Sequence, residues 1–155
     1  MKILCLLVAL LSAGFCHANE DVARVLDNFH QAAARADMKT YLGLMTKEAV
    51  FLGTDAGERW DKQAFSEFVK PYFSQGKGWL YRPQERHINQ SGDNMAFFDE
   101  LLSNENYGLC RGSGVLVKTE TGWKIAQYNL SIPVPNAIAK KVVKQIKTLS
   151  QVKGL

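Results

Sequence analysis

Cysteine is scarce in this chain of 155 residues: there are three, and two of them, Cys5 and Cys16, fall in the first 16 positions. A domain that keeps only Cys110 has no internal disulfide, so its stability must come from a packed core. Cys110 itself reads as a small buried apolar residue, because no His or Asn stands near it in sequence to activate a thiolate. Histidine is equally sparse. His17, His30 and His87 are the three in the chain, and none belongs to a Cys/His cluster, so no metal ligand set is expected. Long hydrophobic runs are missing too. The apolar stretch from Ile3 to Leu11 is too short to span a bilayer as a helix, which leaves no integral membrane segment. Acidic residues are absent from 136–155, where Lys140, Lys141, Lys144, Lys147 and Lys153 concentrate. The formal net charge of +4 therefore belongs to the ends of the chain rather than to a nucleic-acid-binding face, and no nucleic-acid partner is expected.

The N-terminus has the pattern of a cleavable signal peptide: Lys2, an apolar core, and the small-x-small site Cys16-His17-Ala18. Bulky Phe15 argues against acylation of Cys16. Cleavage after Ala18 is expected, placing the protein in the periplasm or outside the cell. The remaining chain divides into a domain over 19–136 and a basic amphipathic helix over 137–155, enough for one real core.

Val22, Val25, Leu26, Phe29, Ala33 and Ala36 recur at helical spacing and predict a first helix over 20–36. Asp37 caps a short second helix carrying Tyr41, Leu42 and Met45. A strand over 49–52 leads into the polar loop 53–59. Asp61 then caps a third helix with Phe65, Phe68, Val69, Tyr72 and Phe73 on its core face, and Trp60 is placed to staple Phe65. Pro71 kinks that helix or ends it early. Four strands follow, over 79–90, 95–103, 109–118 and 123–132, and Asn136 caps a final helix with Ile138, Val142, Ile146 and Leu149 on one face. Helices segregated to one side of such a sheet make an α+β domain.

Gly112-Ser113-Gly114-Val115-Leu116-Val117-Lys118 followed by Gly122-Trp123-Lys124-Ile125-Ala126-Gln127-Tyr128-Asn129-Leu130-Ser131, together with 51–60 and Ala96-Phe97-Phe98-Asp99-Glu100, resembles the SnoaL-like branch of the nuclear transport factor 2-like superfamily over residues 20–136. The resemblance implies a cone: a curved antiparallel or mixed sheet wrapped around the N-terminal helices, with a pocket at its open end and often a homodimer packed through the sheet. It does not select an activity, because the superfamily holds isomerases, dehydratases, hydrolases, cyclases and proteins without known chemistry.

Strand alternation sorts the candidate residues. With Gly92-Asp93 as a two-residue turn, Arg86 would face Asp99, and His87 would share a face with Phe98 and Glu100. Asp99 and Glu100 point to opposite faces in any register. A pocket-facing Glu100 or Asp99 would serve as general base, His87 as proton relay and Arg111 as anion stabiliser. The plain alternatives are an Asp99–Arg86 ion pair, a solvated His87/Glu100 face or dimer contact, and an interstrand salt bridge for Arg111. Gly112-Ser113-Gly114 is no nucleophile elbow, since the run continues as a strand; its glycines make room for a helix or a ligand. Gln127 and Asn129 share a face with Trp123 and Ile125 and would line a polar end of the pocket. Thr54, Asp55 and Arg59 sit on a loop that either binds a ligand or holds itself together by Asp55 or Glu58 pairing with Arg59. Aromatic wall candidates are Tyr41, Trp60, Phe68, Trp79, Tyr81 and Phe98.

Three functions stay open: a module that binds a small, largely apolar molecule, a cofactor-free isomerase or lyase, and an association domain. The lysine-rich helix would dock on its own domain or a dimer partner in preference to a membrane, because its stripe lacks Trp and Phe.

Overall fold

The computed structural model describes residues 19–153, so the expected leader lies outside the described residues. Helix α1 covers 19–34 and α2 is Met38–Gly43. They are followed by β1 (Met45–Leu52), β2 (Arg59–Asp61), α3 (Lys62–Phe73), four long strands β3 (Arg82–Ser91), β4 (Met95–Asn104), β5 (Gly108–Thr119) and β6 (Gly122–Ser131), and α4 (Asn136–Lys153). The strands form one mixed, curved sheet in the order β2-β1-β6-β5-β4-β3. Every pair is antiparallel except β1 with β6, which is parallel.

Local chemistry explains the helix starts. The Asp37 carboxylate accepts from the Thr40 N–H at 3.0 Å, and that of Asp61 from the Ala64 N–H at 2.8 Å, so each occupies an orphan donor of a first turn. Trp60 packs on Phe65 at 5.9 Å between ring centroids and fixes the entry into α3. The helix ends two residues after Pro71. Three boundaries depart from expectation, the first being that β3 begins at Arg82 rather than at Trp79. Met45 belongs to β1 rather than α2, and residues 59–61 form a short edge strand in which Trp60 pairs with Phe51.

The helices bury one face against the inner face of the sheet. Val22, Leu26, Phe29 and Ala33 of α1, Tyr41 of α2, Phe65, Val69 and Phe73 of α3, and Phe98, Leu116, Trp123, Ile125 and Tyr128 of the sheet make the core. Rings carry much of this packing: Phe29 stacks on Tyr41 at 4.2 Å, and Phe51 stacks on Phe65 at 4.1 Å and on Tyr128 at 5.5 Å. Such pairs contribute about 0.5–1.5 kcal/mol each beyond area burial.

Two irregularities reset which side chains face this core. The β3–β4 turn uses three residues, Gly92-Asp93-Asn94, with Gly92 at φ +66° and Ser91 paired to Met95. The expected pairings therefore move by one: Arg86 stands opposite Glu100, and His87 opposite Asp99. On β6 the pairing with β5 jumps from Ile125 to Gln127, leaving Ala126 as a bulge. Past that point the alternation inverts, and Tyr128 faces the core while Gln127 faces out. A third irregularity lies in β3, between Pro83 and Glu85.

Helix α4 leaves most of its expected stripe uncovered: Ile138, Ile146 and Leu149 are exposed, from 48% for Ile138 to 61% for Leu149, and Val142 is half-buried. Among the described residues no helix is long and apolar enough to cross a membrane.

Candidate functional site

Between α1, α2, α3 and the sheet opens a cavity of about 380 Å³. Its wall is mostly aromatic. Phe29 and Tyr41 come from the first two helices, Phe51 and Trp60 from β1 and β2, Phe65, Phe68 and Tyr72 from α3, and Trp79, Tyr81 and Tyr107 from the connecting segments. Phe68, Tyr72 and Tyr107 are exposed and mark the mouth. Glu58, Thr54 and Asn106 add polar groups, and His30 and Tyr128 form the polar part of the wall.

Behind His30 and Tyr128 lies a buried carboxylate. Glu100 is 1% exposed, and both of its oxygens are engaged. Oε1 takes the His30 Nε2 at 2.7 Å and the Tyr128 hydroxyl at 2.9 Å; Oε2 takes the Arg86 Nε at 2.8 Å. Arg86 is anchored in turn by its Nη1, which donates to Asp27 Oδ1 at 2.8 Å and to the Ala23 carbonyl at 3.3 Å on α1. Burial pushes the Glu100 carboxyl up, but the His30 hydrogen bond and charge and then the Arg86 guanidinium outweigh it, leaving the group below its usual value. Glu100 is thus ionised and can only accept, so the His30 Nε2 carries a hydrogen and donates it. Burial, followed by the charge of Glu100, holds the Tyr128 phenol well above its ordinary value, so it stays protonated and also donates.

Glycine makes this cluster possible. A Cβ on Gly112 of β5 would overlap the Tyr128 hydroxyl and crowd Glu100 Oε1. The alternating glycines of β5 therefore make room for the sheet's own polar network at Gly112. At Gly114 they make room for the Phe98 ring and the backbone at Gln127.

The structure disperses the other expected site residues. Asp99 and Arg111 lie on the outer face of the sheet, pointing away from the cavity. His87 is there too, with its Nε2 2.9 Å from Glu85 Oε1, so it cannot relay protons to Glu100. The expected Asp99–Arg86 pair does not form, since Arg86 turns to Glu100 and Asp27. Of the eight expected ligand contacts, Thr54, Trp60 and Tyr81 line the cavity. Phe98 is buried behind it against Tyr128, and Gln127 and Asn129 are turned outward by the Ala126 bulge. Asp55 and Arg59 are exposed. Their loop is held by backbone donors, Gly57 N–H to Asp55 Oδ1 at 2.9 Å and Asp55 N–H to Glu58 Oε2 at 3.1 Å, rather than by pairing with Arg59.

His30, Arg86 and Tyr128 are the partners of Glu100 that pattern reading missed. For His30 a signal existed: it lies one turn after Leu26, on the apolar stripe of α1, where a polar ring needs a partner. Among the described residues no group of three or more His, Cys, Asp or Glu side chains is placed to hold a metal ion.

A family model described as a SnoaL-like domain matches residues 22–135, nearly the whole of the cone and its helices. The chain belongs to this family. Solved structures of nuclear transport factor 2-like proteins share the fold. A nuclear transport factor 2-like protein of unknown function from Pseudomonas putida superimposes with a TM-score of 0.66 at 11% identity, over 79% of this chain and 90% of that one. A similar protein with a cystatin-like fold from Novosphingobium aromaticivorans gives 0.63 at 12% identity, over 87% and 93%. A ketosteroid isomerase-like protein from Erwinia carotovora atroseptica gives 0.55 at 22% identity, over 73% and 94%. These similarities establish the fold alone. No curated protein matches the SnoaL-like chain.

Proposed function

We propose that this SnoaL-like domain binds a small, largely apolar molecule in its cone and releases it unchanged. The observation that carries this reading is the aromatic-walled cavity of about 380 Å³, a size suited to small-molecule ligands. The one buried carboxylate among the described residues, Glu100, is already ionised and bonded through both oxygens, so it supports the wall rather than waiting for a proton. Titration with the neutral fluorophore N-phenyl-1-naphthylamine tests this. Saturable binding that is lost when Thr54→Trp plugs the rim supports it; absence of saturable binding overturns it.

A second reading rests on His30. Its imidazole is at the cavity wall, with Nε2 donating to Glu100 at 2.7 Å. In the neutral ring that leaves Nδ1 as the acceptor, the arrangement of a carboxylate-oriented general base. A proton-transferring isomerase or lyase of this design would exchange a carbon-bound hydrogen of its substrate for deuterium in D2O. His30→Gln would stop that exchange.

Export after removal of residues 1–18, and a homodimer using the exposed outer face of the sheet, complete the proposed setting. Mass analysis of the exported protein checks the first, and sedimentation equilibrium the second.

A further inference from the structure

We propose that the molecule taken by this cavity is an organic cation, a quaternary or tertiary alkylammonium. This rests on the binding reading above and narrows it to one chemical class.

Two observations converge. The first is the wall. Trp60 and Phe68 stack at 4.6 Å, and Phe68, Tyr72 and Trp79 continue the ring surface at 5.7–6.5 Å, giving a mouth built of aromatic rings from three elements. The faces of such rings carry the negative lobe of the quadrupole and attract a cation within about 6 Å.

The second is the charge at the rim. Glu58 is the one carboxylate lining the cavity, and neither Lys nor Arg lines it among the described residues. The Glu58 carboxylate is held in position. Its Oε2 accepts the Asp55 N–H at 3.1 Å, and it folds over Gly53, where a Cβ would overlap it. It makes no ion pair among the described residues, so its charge is left for something that enters.

Alkyl groups around the nitrogen matter because a bare ammonium is strongly hydrated and costly to strip of water, whereas a carbon-sheathed cation presents an apolar surface to the rings.

Tryptophan fluorescence provides the test, since Trp60 and Trp79 line the cavity. The purified chain is titrated with benzyltrimethylammonium and with neopentylbenzene, its uncharged carbon isostere. The cation is expected to bind about tenfold or more tightly than the isostere. Glu58→Gln should narrow that ratio by roughly fivefold, and Trp60→Leu should narrow it independently. Equal or tighter binding of the isostere overturns the proposal and leaves the cavity reading standing. An unchanged ratio in both variants overturns it as well. If neither probe nor neutral N-phenyl-1-naphthylamine binds, the reading of the cavity as a ligand site falls with it.

Discussion

The imidazole of His30 on α1 and the carboxylate of Glu100 on β4 meet at 2.7 Å, although 70 positions of sequence separate them. With Arg86 and Tyr128 the pair ties the first helix to three strands through one buried anion. Removing that anion strands a guanidinium and two donors. Glu100→Ala is expected to lower the unfolding free energy by about 3–5 kcal/mol, since one partner of a buried pair is left uncompensated. Urea denaturation at neutral pH measures it; a loss below about 1 kcal/mol would show that the cluster is not holding α1 to the sheet.

Acid stability follows from the same group. Because the Glu100 carboxyl lies below its usual value of 4.5 in the folded chain, the unfolded state binds the proton more readily. The stabilisation is thus complete above about pH 4.5 and erodes as pH falls toward the folded-state value. Melting temperature plotted against pH should drop on the acid side for the natural chain. Glu100→Gln should be less stable at pH 7 yet show a flatter acid limb, and parallel curves would contradict the assignment.

Gly112 supplies a third expectation. Gly112→Ala should destabilise by about 1–3 kcal/mol, because its Cβ competes with the Tyr128 hydroxyl for one space. Tyr128→Phe alone should cost about 1 kcal/mol for its lost hydrogen bond. Combined, the two should cost less than their sum, since removing the hydroxyl relieves the clash. A double-mutant cycle in urea reads the difference, and strict additivity would place the clash elsewhere.

Helix α4 should be dispensable for folding. A chain ending at residue 135 keeps every core residue and loses a helix whose large apolar side chains are mostly exposed. Its stability should stay within about 0.5 kcal/mol of the full chain by urea denaturation. A larger fall would mean that α4 docks in solution.

Local chemistry was legible in the sequence, and long-range register was not. Asp37 and Asp61 announce their helices because a cap acts within three residues, and Trp60 with Phe65 announces the staple for the same reason. The repeated hydrophobic pattern of α1 gave its core face. The site failed at two single-residue events. A three-residue turn in place of two moved Arg86 from opposite Asp99 to opposite Glu100, and the extra residue Ala126 turned Tyr128 inward in place of Gln127 and Asn129. Side chains alternate with a period of two, so one inserted residue inverts everything downstream, and nothing in composition marks where it falls. The His30–Glu100 contact was further out of reach, because it depends on how a helix lies across the sheet.

Strand β3 closes one end of the sheet, and its free side could template a foreign strand. Pro83 has no N–H to offer, the irregularity beside it breaks the ladder, and Arg82, Glu85 and His87 add charge or polarity along the rim. The strand is long but discouraging to a neighbour. Crowding during synthesis or refolding should therefore not seed cross-β growth from this border, despite an edge strand of ten residues there.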